Sequence, residues 1–197
     1  MNVYFRNMRT KDEEKKQALF EATVKTVNDI GFAASSVSKI AREAGVSSST
    51  LYVYHKNKEE LLVSTYVEIK KKISRALLGN YDETLPLRDI LRRGWYNMYV
   101  WISENQVYYD YVEQFASSPF RARVNHDVLD RYFLPIFQVM EKGIEQKIIK
   151  NVKRPLLSAF MFHPLTRLAA VQWCQGVELD ENDIEIAFAM AWDAIRF

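Results

Sequence analysis

Residues 35–58 read Ser-Ser-Val-Ser-Lys-Ile-Ala-Arg-Glu-Ala-Gly-Val-Ser-Ser-Ser-Thr-Leu-Tyr-Val-Tyr-His-Lys-Asn-Lys, and nothing else in the chain constrains its architecture as strongly. Ser35 or Ser36 offers a hydroxyl to the free N–H groups of a following helix. On that helix Val37, Ile40, Ala41 and Ala44 recur at i, i+3, i+4 and i+7, a one-sided apolar stripe. Small Ala41 admits a second helix at close range, Gly45 supplies a left-handed turn residue, and Val46 plugs the turn. Ser47 caps the next helix, which buries Leu51 and Val53 and leaves Ser48, Ser49, Thr50, Tyr52 and Tyr54 for the outside. Two helices joined by a short glycine-containing turn make a helix-turn-helix.

The outward strip has the chemistry of a duplex reader. From Ser47 to Tyr54 no acidic side chain is present to repel phosphate. Three short hydroxyls stand near a helix N-terminus, where N–H groups and the helix dipole favour an anion. Tyr52 and Tyr54 are long enough to reach base edges or backbone oxygens. Asn57 followed by Glu60 has capping-box spacing, which starts a fourth helix and places Lys58 as a phosphate clamp.

Outward from this core the pattern stays helical. Helices are expected over about 12–30, 36–44, 48–54, 58–78, 86–104, 106–116, 119–150, 155–175 and 181–197. Gly31, Gly45, Gly79 and Gly176 stand where C-terminal caps belong, and Asp180 caps the last helix. Pro135 and Pro164 fall inside two of these helices and are expected to kink or interrupt them. No sustained two-residue alternation appears, so the fold class is all-α. Phe20, Thr23, Val24, Val27 and Ile30 form the floor under the reading helices, and Arg6, Arg9 and Lys11 precede them on an unstructured basic arm.

Gly31-Phe32, Ser36-Val37, Ile40 to Ser47, Thr50-Leu51-Tyr52 and Lys56 to Leu62 together resemble the DNA-binding domain of the TetR family of transcriptional regulators. The resemblance covers roughly residues 12–65. It implies an N-terminal three-helix domain that binds operator DNA as a dimer, and C-terminal helices that bind a small effector. The family's usual DNA contacts fall here on Ser36, Ser47, Ser48, Ser49, Thr50, Tyr52, Tyr54 and Lys58. His55 stands where the family commonly has Phe and reads as a packing residue. The implied domains are 1–65 for DNA, with the helix-turn-helix at about 36–55, and 66–197 for effector and dimerisation. The last two helices, carrying Leu165, Leu168, Ala169 and Ile184, Phe188, Ala191, are the implied homodimer interface.

The remaining chain is rich in aromatic residues, whose polar tips need partners when buried. Trp95, Tyr99, Tyr108, Tyr111, Phe115, Phe137, Phe160 and His163 are the expected lining for a small hydrophobic effector. Composition bounds the alternatives. The 197 residues carry 27 Lys and Arg against 25 Asp and Glu, so affinity for nucleic acid must be local rather than general. One cysteine and three histidines leave too few ligands for a zinc cluster and none for an internal disulfide. No Gly-rich phosphate loop, nucleophile elbow or histidine pair at metal spacing is present, so an enzyme and a bound cofactor are not expected. No apolar run approaches the roughly 18–20 residues of a membrane span, and no secretory leader opens the sequence. The expected location is therefore the cytoplasm.

Overall fold

The computed structural model describes residues 3–197, with side chains described from Lys11 onward. The helices are α1 (Val3–Ala34), α2 (Val37–Glu43), α3 (Ser48–Tyr54), α4 (Lys58–Leu77), α5 (Leu87–Glu104), α6 (Gln106–Ala116), α7 (His126–Glu145), α8 (Arg154–Met161), α9 (His163–Gln175) and α10 (Glu181–Ile195). A 3-10 helix occupies Pro119–Arg123. The only β pairing among the described residues is an isolated antiparallel bridge between Ile149 and Arg196.

Several boundaries differ from the sequence reading. The backbone is helical from Val3, so the expected unstructured arm gives way to an extension of α1, and Lys11 is exposed on it. The side chains of Arg6 and Arg9 lie outside the described residues. The expected helix over 119–150 is broken at Val124, where the chain turns extended, and ends at Glu145 before a left-handed Lys147. Pro135 stays within α7, whereas Pro164 starts α9 in its first turn, dividing the expected 155–175 helix after Met161. After α4 the left-handed residue is Asn80 and not Gly79.

The chain forms two compact units. The first unit comprises residues up to Ile69 together with Val107–Asn125, and the second comprises Lys70–Gln106 and His126–Phe197. In the first, Leu19, Ala22, Ile40, Ala41, Leu51 and Leu61 form a continuous apolar cluster, with Val37, Ala44, Val46 and Tyr54 packed around it. Helix α6 joins this unit because its aromatic face has partners there. Phe115 stacks on Tyr66 with centroids 4.2 Å apart, and Phe32 meets Tyr111 edge-on at 5.4 Å. Asn28 Nδ2 donates to the Val107 carbonyl at 2.7 Å, and Tyr111 donates its hydroxyl to the Leu62 carbonyl at 2.8 Å. In the second unit Leu91, Trp95 and Ile102 of α5, Met161 of α8, Leu165 and Ala169 of α9 and Phe188 of α10 are buried. Trp95 Nε1 donates to the Met161 carbonyl at 2.8 Å, which satisfies the indole there.

The turn that aims α3 depends on Gly45, whose φ of 66° lies in the left-handed region. Its N–H donates to the Arg42 carbonyl and that of Val46 to the Ala41 carbonyl, ending α2. A Cβ built on Gly45 meets nothing within 4 Å, so any cost of substitution is backbone strain alone. Gly45→Ala should destabilise the protein by about 1–2 kcal/mol. Gly45→Asn should cost less, because Asn tolerates this conformation. Equal losses for the two variants in thermal unfolding would show that φ is not the cause.

Candidate nucleic-acid interface and ligand cleft

Local hydrogen bonds set the start of both reading helices. Ser36 accepts from the Lys39 N–H at 3.3 Å and caps α2, while Ser47 accepts from the Thr50 N–H at 3.1 Å and caps α3. Ser47 Oγ also lies 2.7 Å from Ser49 Oγ and 2.9 Å from Thr50 Oγ1. At the head of α4, Asn57 Oδ1 accepts from the Glu60 N–H at 2.8 Å, and Glu60 accepts from the Lys56 N–H at 2.6 Å. The reciprocal arm of this cap therefore reaches Lys56, one residue earlier than the capping box requires.

With Leu51 fully buried, α3 turns a defined face outward. Ser48 and Ser49 are exposed, Tyr52 is 55% exposed and Val53 76%. Val53 was expected inside and lies outside, since a residue two steps beyond a buried one stands roughly 200° around a helix. It adds a branched apolar group beside the hydroxyls, suited to a thymine methyl. Thr50 is half-buried.

Two expected contacts have structural partners in this conformation. Tyr54 is half-buried, with its hydroxyl donating to Asp12 Oδ1 at 2.5 Å and Lys16 Nζ lying 5.6 Å from its ring centre. Lys58 Nζ donates to the Phe32 carbonyl at 2.7 Å. Tyr54 thus ties α3 to α1, and Lys58 ties α4 to the end of α1. Half-buried His55 packs here too, its Nδ1 3.4 Å from Ser64 Oγ, and burial lowers its pKa.

The eight expected effector residues are divided between the two units. Tyr108, Tyr111 and Phe115 belong to the first unit, where Tyr108 donates to Glu21 at 2.7 Å and burial pushes both phenols' pKa values up. Phe137 is half-buried under the Arg154 guanidinium, 4.3 Å from its ring centre. Phe160 is 58% exposed and His163 is exposed. Trp95 and Tyr99 remain, stacked with centroids 6.4 Å apart.

Trp95 lines a cleft of about 800 Å³ in the second unit, between α5 and α10. Its apolar side is Trp95, Ile184 and Phe188, and its polar lining includes Arg92 and Arg93 together with Asp89, Glu181 and Glu185. Arg92 is paired with Glu185 at 2.6 Å. This cleft was not apparent from the sequence, which assigned α10 to dimerisation; the Arg92–Glu185 pair joins residues 93 positions apart. One turn along α5, the hydroxyls of Tyr99 and Ser103 are buried near one another, with no partner from another element among the described residues. Burial raises the Tyr99 pKa. No group of His, Cys, Asp and Glu among the described residues is arranged to hold a metal ion. No helix among them is long and apolar enough to cross a membrane.

Comparison with known proteins places these features. Residues 16–65 match the profile of "Bacterial regulatory proteins, tetR family", and residues 86–196 that of "Tetracyclin repressor-like, C-terminal domain". An HTH-type transcriptional regulator of Haemophilus influenzae is 30% identical over 190 residues, covering 96% of this chain and all of that protein. The crystal structure of a TetR family transcription regulator from Marinobacter aquaeolei VT8 superposes with a TM-score of 0.85 at 35% identity, over 95% of this chain and 98% of the other. The FadR regulator of Bacillus subtilis, solved in complex with stearoyl-CoA, shares the fold at a TM-score of 0.71 and 18% identity, over 91% and 97% of the two chains.

The Tyr54–Asp12 contact predicts a pH dependence. Hydrogen bonds from Tyr54 and then Lys16 hold the Asp12 carboxyl below its ordinary pKa of 3.8. Its contribution to folding is therefore complete above that ordinary value and disappears as pH falls through the lowered one. Asp12→Asn should melt below the wild type at neutral pH, with the gap closing on acidification. A gap unchanged down to about pH 2 would assign the loss to something other than this carboxylate.

Proposed function

The chain belongs to the TetR family of transcriptional regulators, and from that membership we propose that it acts as a dimeric repressor, holding a palindromic operator until a hydrophobic small molecule releases it. The family's members are regulators, not enzymes, and they bind DNA through the helix-turn-helix. The observation that carries the reading is the face of α3. Four adjoining exposed side chains, Ser48, Ser49, Tyr52 and Val53, stand outward with no acid among them. Ser36 and Lys58 flank this face as backbone-contacting groups, with Lys58 exchanging its bond to the Phe32 carbonyl for one to phosphate. Phosphate contacts then supply most of the affinity, which falls steeply with salt.

Dimerisation is supported by apolar side chains left outward in the second unit. Leu165, Ala169, Ile184, Phe188 and Ala191, expected at the interface, are buried within their own unit, whereas Leu156 and Phe160 on α8 and Ile186 and Met190 on α10 are all at least half exposed. Such residues are normally covered, and a two-fold axis lets one patch cover its own copy. A dimer places two α3 helices in successive major-groove segments, which is why the operator is expected to be palindromic.

The effector reading rests on the cleft between α5 and α10. Its aromatic side and charged lining suit an amphiphile with an apolar body and a polar head. The stearoyl-CoA held by the Bacillus subtilis protein has that character. A protein working this way acts in the cytoplasm, where its operator lies.

Tyr52→Ala should weaken binding to the DNA upstream of the chain's own gene by about tenfold or more, leaving the sedimenting species unchanged. Loss of the dimer in that variant would make Tyr52 structural. Stearoyl-CoA should quench or shift tryptophan emission and release that DNA over the same concentration range. Binding without any change in DNA affinity would end the effector reading while leaving the DNA reading intact.

A further inference from the structure

We infer that the DNA-contacting surface extends beyond the helix-turn-helix onto the 3-10 helix Pro119–Arg123, where Arg121 and Arg123 take backbone phosphates. This inference rests on the assignment of α3 as the reading helix. Its first support is placement. The 3-10 helix belongs to the same compact unit as α2 and α3, although it lies some 70 residues further along the chain. It is fastened there by Phe120, whose ring centre lies 5.8 Å from that of Phe32. Phe32 is the backing shared with the proposed phosphate contacts. Its carbonyl accepts from Lys58, and Ser36, the cap of α2, follows four residues later. One aromatic residue therefore stands between the flank of the reading head and the residue preceding Arg121.

The second support is charge. No acidic residue occurs from Gln114 to His126, just as none occurs from Ala44 to Lys58. The side chains of Arg121 and Arg123 are exposed and have no ion pair or hydrogen bond among the described residues. Three arginines are engaged by contrast: Arg92 with Glu185, Arg154 with Asp130 and Arg196 with Asp193. Two unpaired guanidiniums on an acid-free strip present their full charge outward. In a 3-10 helix residues two apart are separated by about 4 Å along the axis and point to different sides. The two side chains therefore reach separate phosphates instead of competing for one. The guanidinium fork matches phosphate oxygens in pairs, which favours Arg over Lys in this role.

The test is the salt dependence of binding to two duplexes, the DNA upstream of the gene and a mixed-sequence duplex of equal length. Each lost phosphate contact lowers the log–log salt slope by about 0.9. Arg121→Ala/Arg123→Ala removes two contacts from each protomer of the dimer, so it should lower the slope by about 3.6 and weaken both duplexes by a similar factor, about tenfold or more at 0.1 M salt. Arg121→Lys/Arg123→Lys should keep most of the slope, and all variants should melt with the wild type because both side chains are exposed. An unchanged slope and affinity in the alanine pair would overturn the inference, and so would a loss confined to the upstream DNA. If the wild type itself bound neither duplex in a salt-dependent way, the DNA reading of α3 would fall together with this extension. If Tyr52→Ala weakened binding and the arginine pair did not, only the extension would fall.

Discussion

Burial of Leu51 is the constraint on which the reading head depends. Placing a leucine fully inside is worth about 2 kcal/mol relative to leaving it in water, and Leu51 is fully buried against the cluster of Leu19, Ile40, Ala41 and Leu61. Rotating α3 to bury Tyr52 or Val53 instead would forfeit that term. For Tyr52 it would also strip a phenol of water without a partner, a further cost of about 1–3 kcal/mol. Both terms select the same rotation, and that rotation turns Ser48, Ser49, Tyr52 and Val53 outward. Gly45 sets the angle at which α3 arrives, and the Tyr54–Asp12 hydrogen bond ties its far end to α1.

What could be read in the sequence follows the range of the interaction involved. Ser36, Ser47, Asn57 and Asp180 all cap helices as their positions indicate, because a cap is settled within three or four residues. The all-helical class and the stripe of α2 were legible for the same reason. The partner of Tyr54 was not, since Asp12 lies 42 residues away. Val53 was misplaced because its apolar character was weighed above the helical period, which sets it roughly 200° from Leu51. The break between 119–123 and α7 was hidden by a periodicity that continues across it. Only the extended backbone at Val124 marks the interruption.

The aromatic residues teach a narrower lesson. Buried phenols need partners, and those of α6 find them in groups of the first unit. Tyr108 has Glu21, Tyr111 has the Leu62 carbonyl, and Phe115 has the Tyr66 ring. The ring-rich segment 108–115 is thus the means by which α6 is fastened to the helix-turn-helix unit. Helical spacing identifies such a face and is silent on which element covers it. The cleft in the other unit draws on Trp95 from the expected set and otherwise on side chains read as polar surface or dimer helix.

On the proposed function, this division constrains how an effector in the second unit would change DNA affinity. The chain passes between the units within α4 at residues 69 and 70, before Val107, and after Asn125. Alongside the continuous helix α4, α6 is therefore a second covalent lever, with hydrogen bonds to α1 through Asn28 and Glu21 and to α4 through Leu62. A ligand shifts a two-state equilibrium only by the difference in its affinity for the two states, and a coupling of roughly 1–3 kcal/mol is typical.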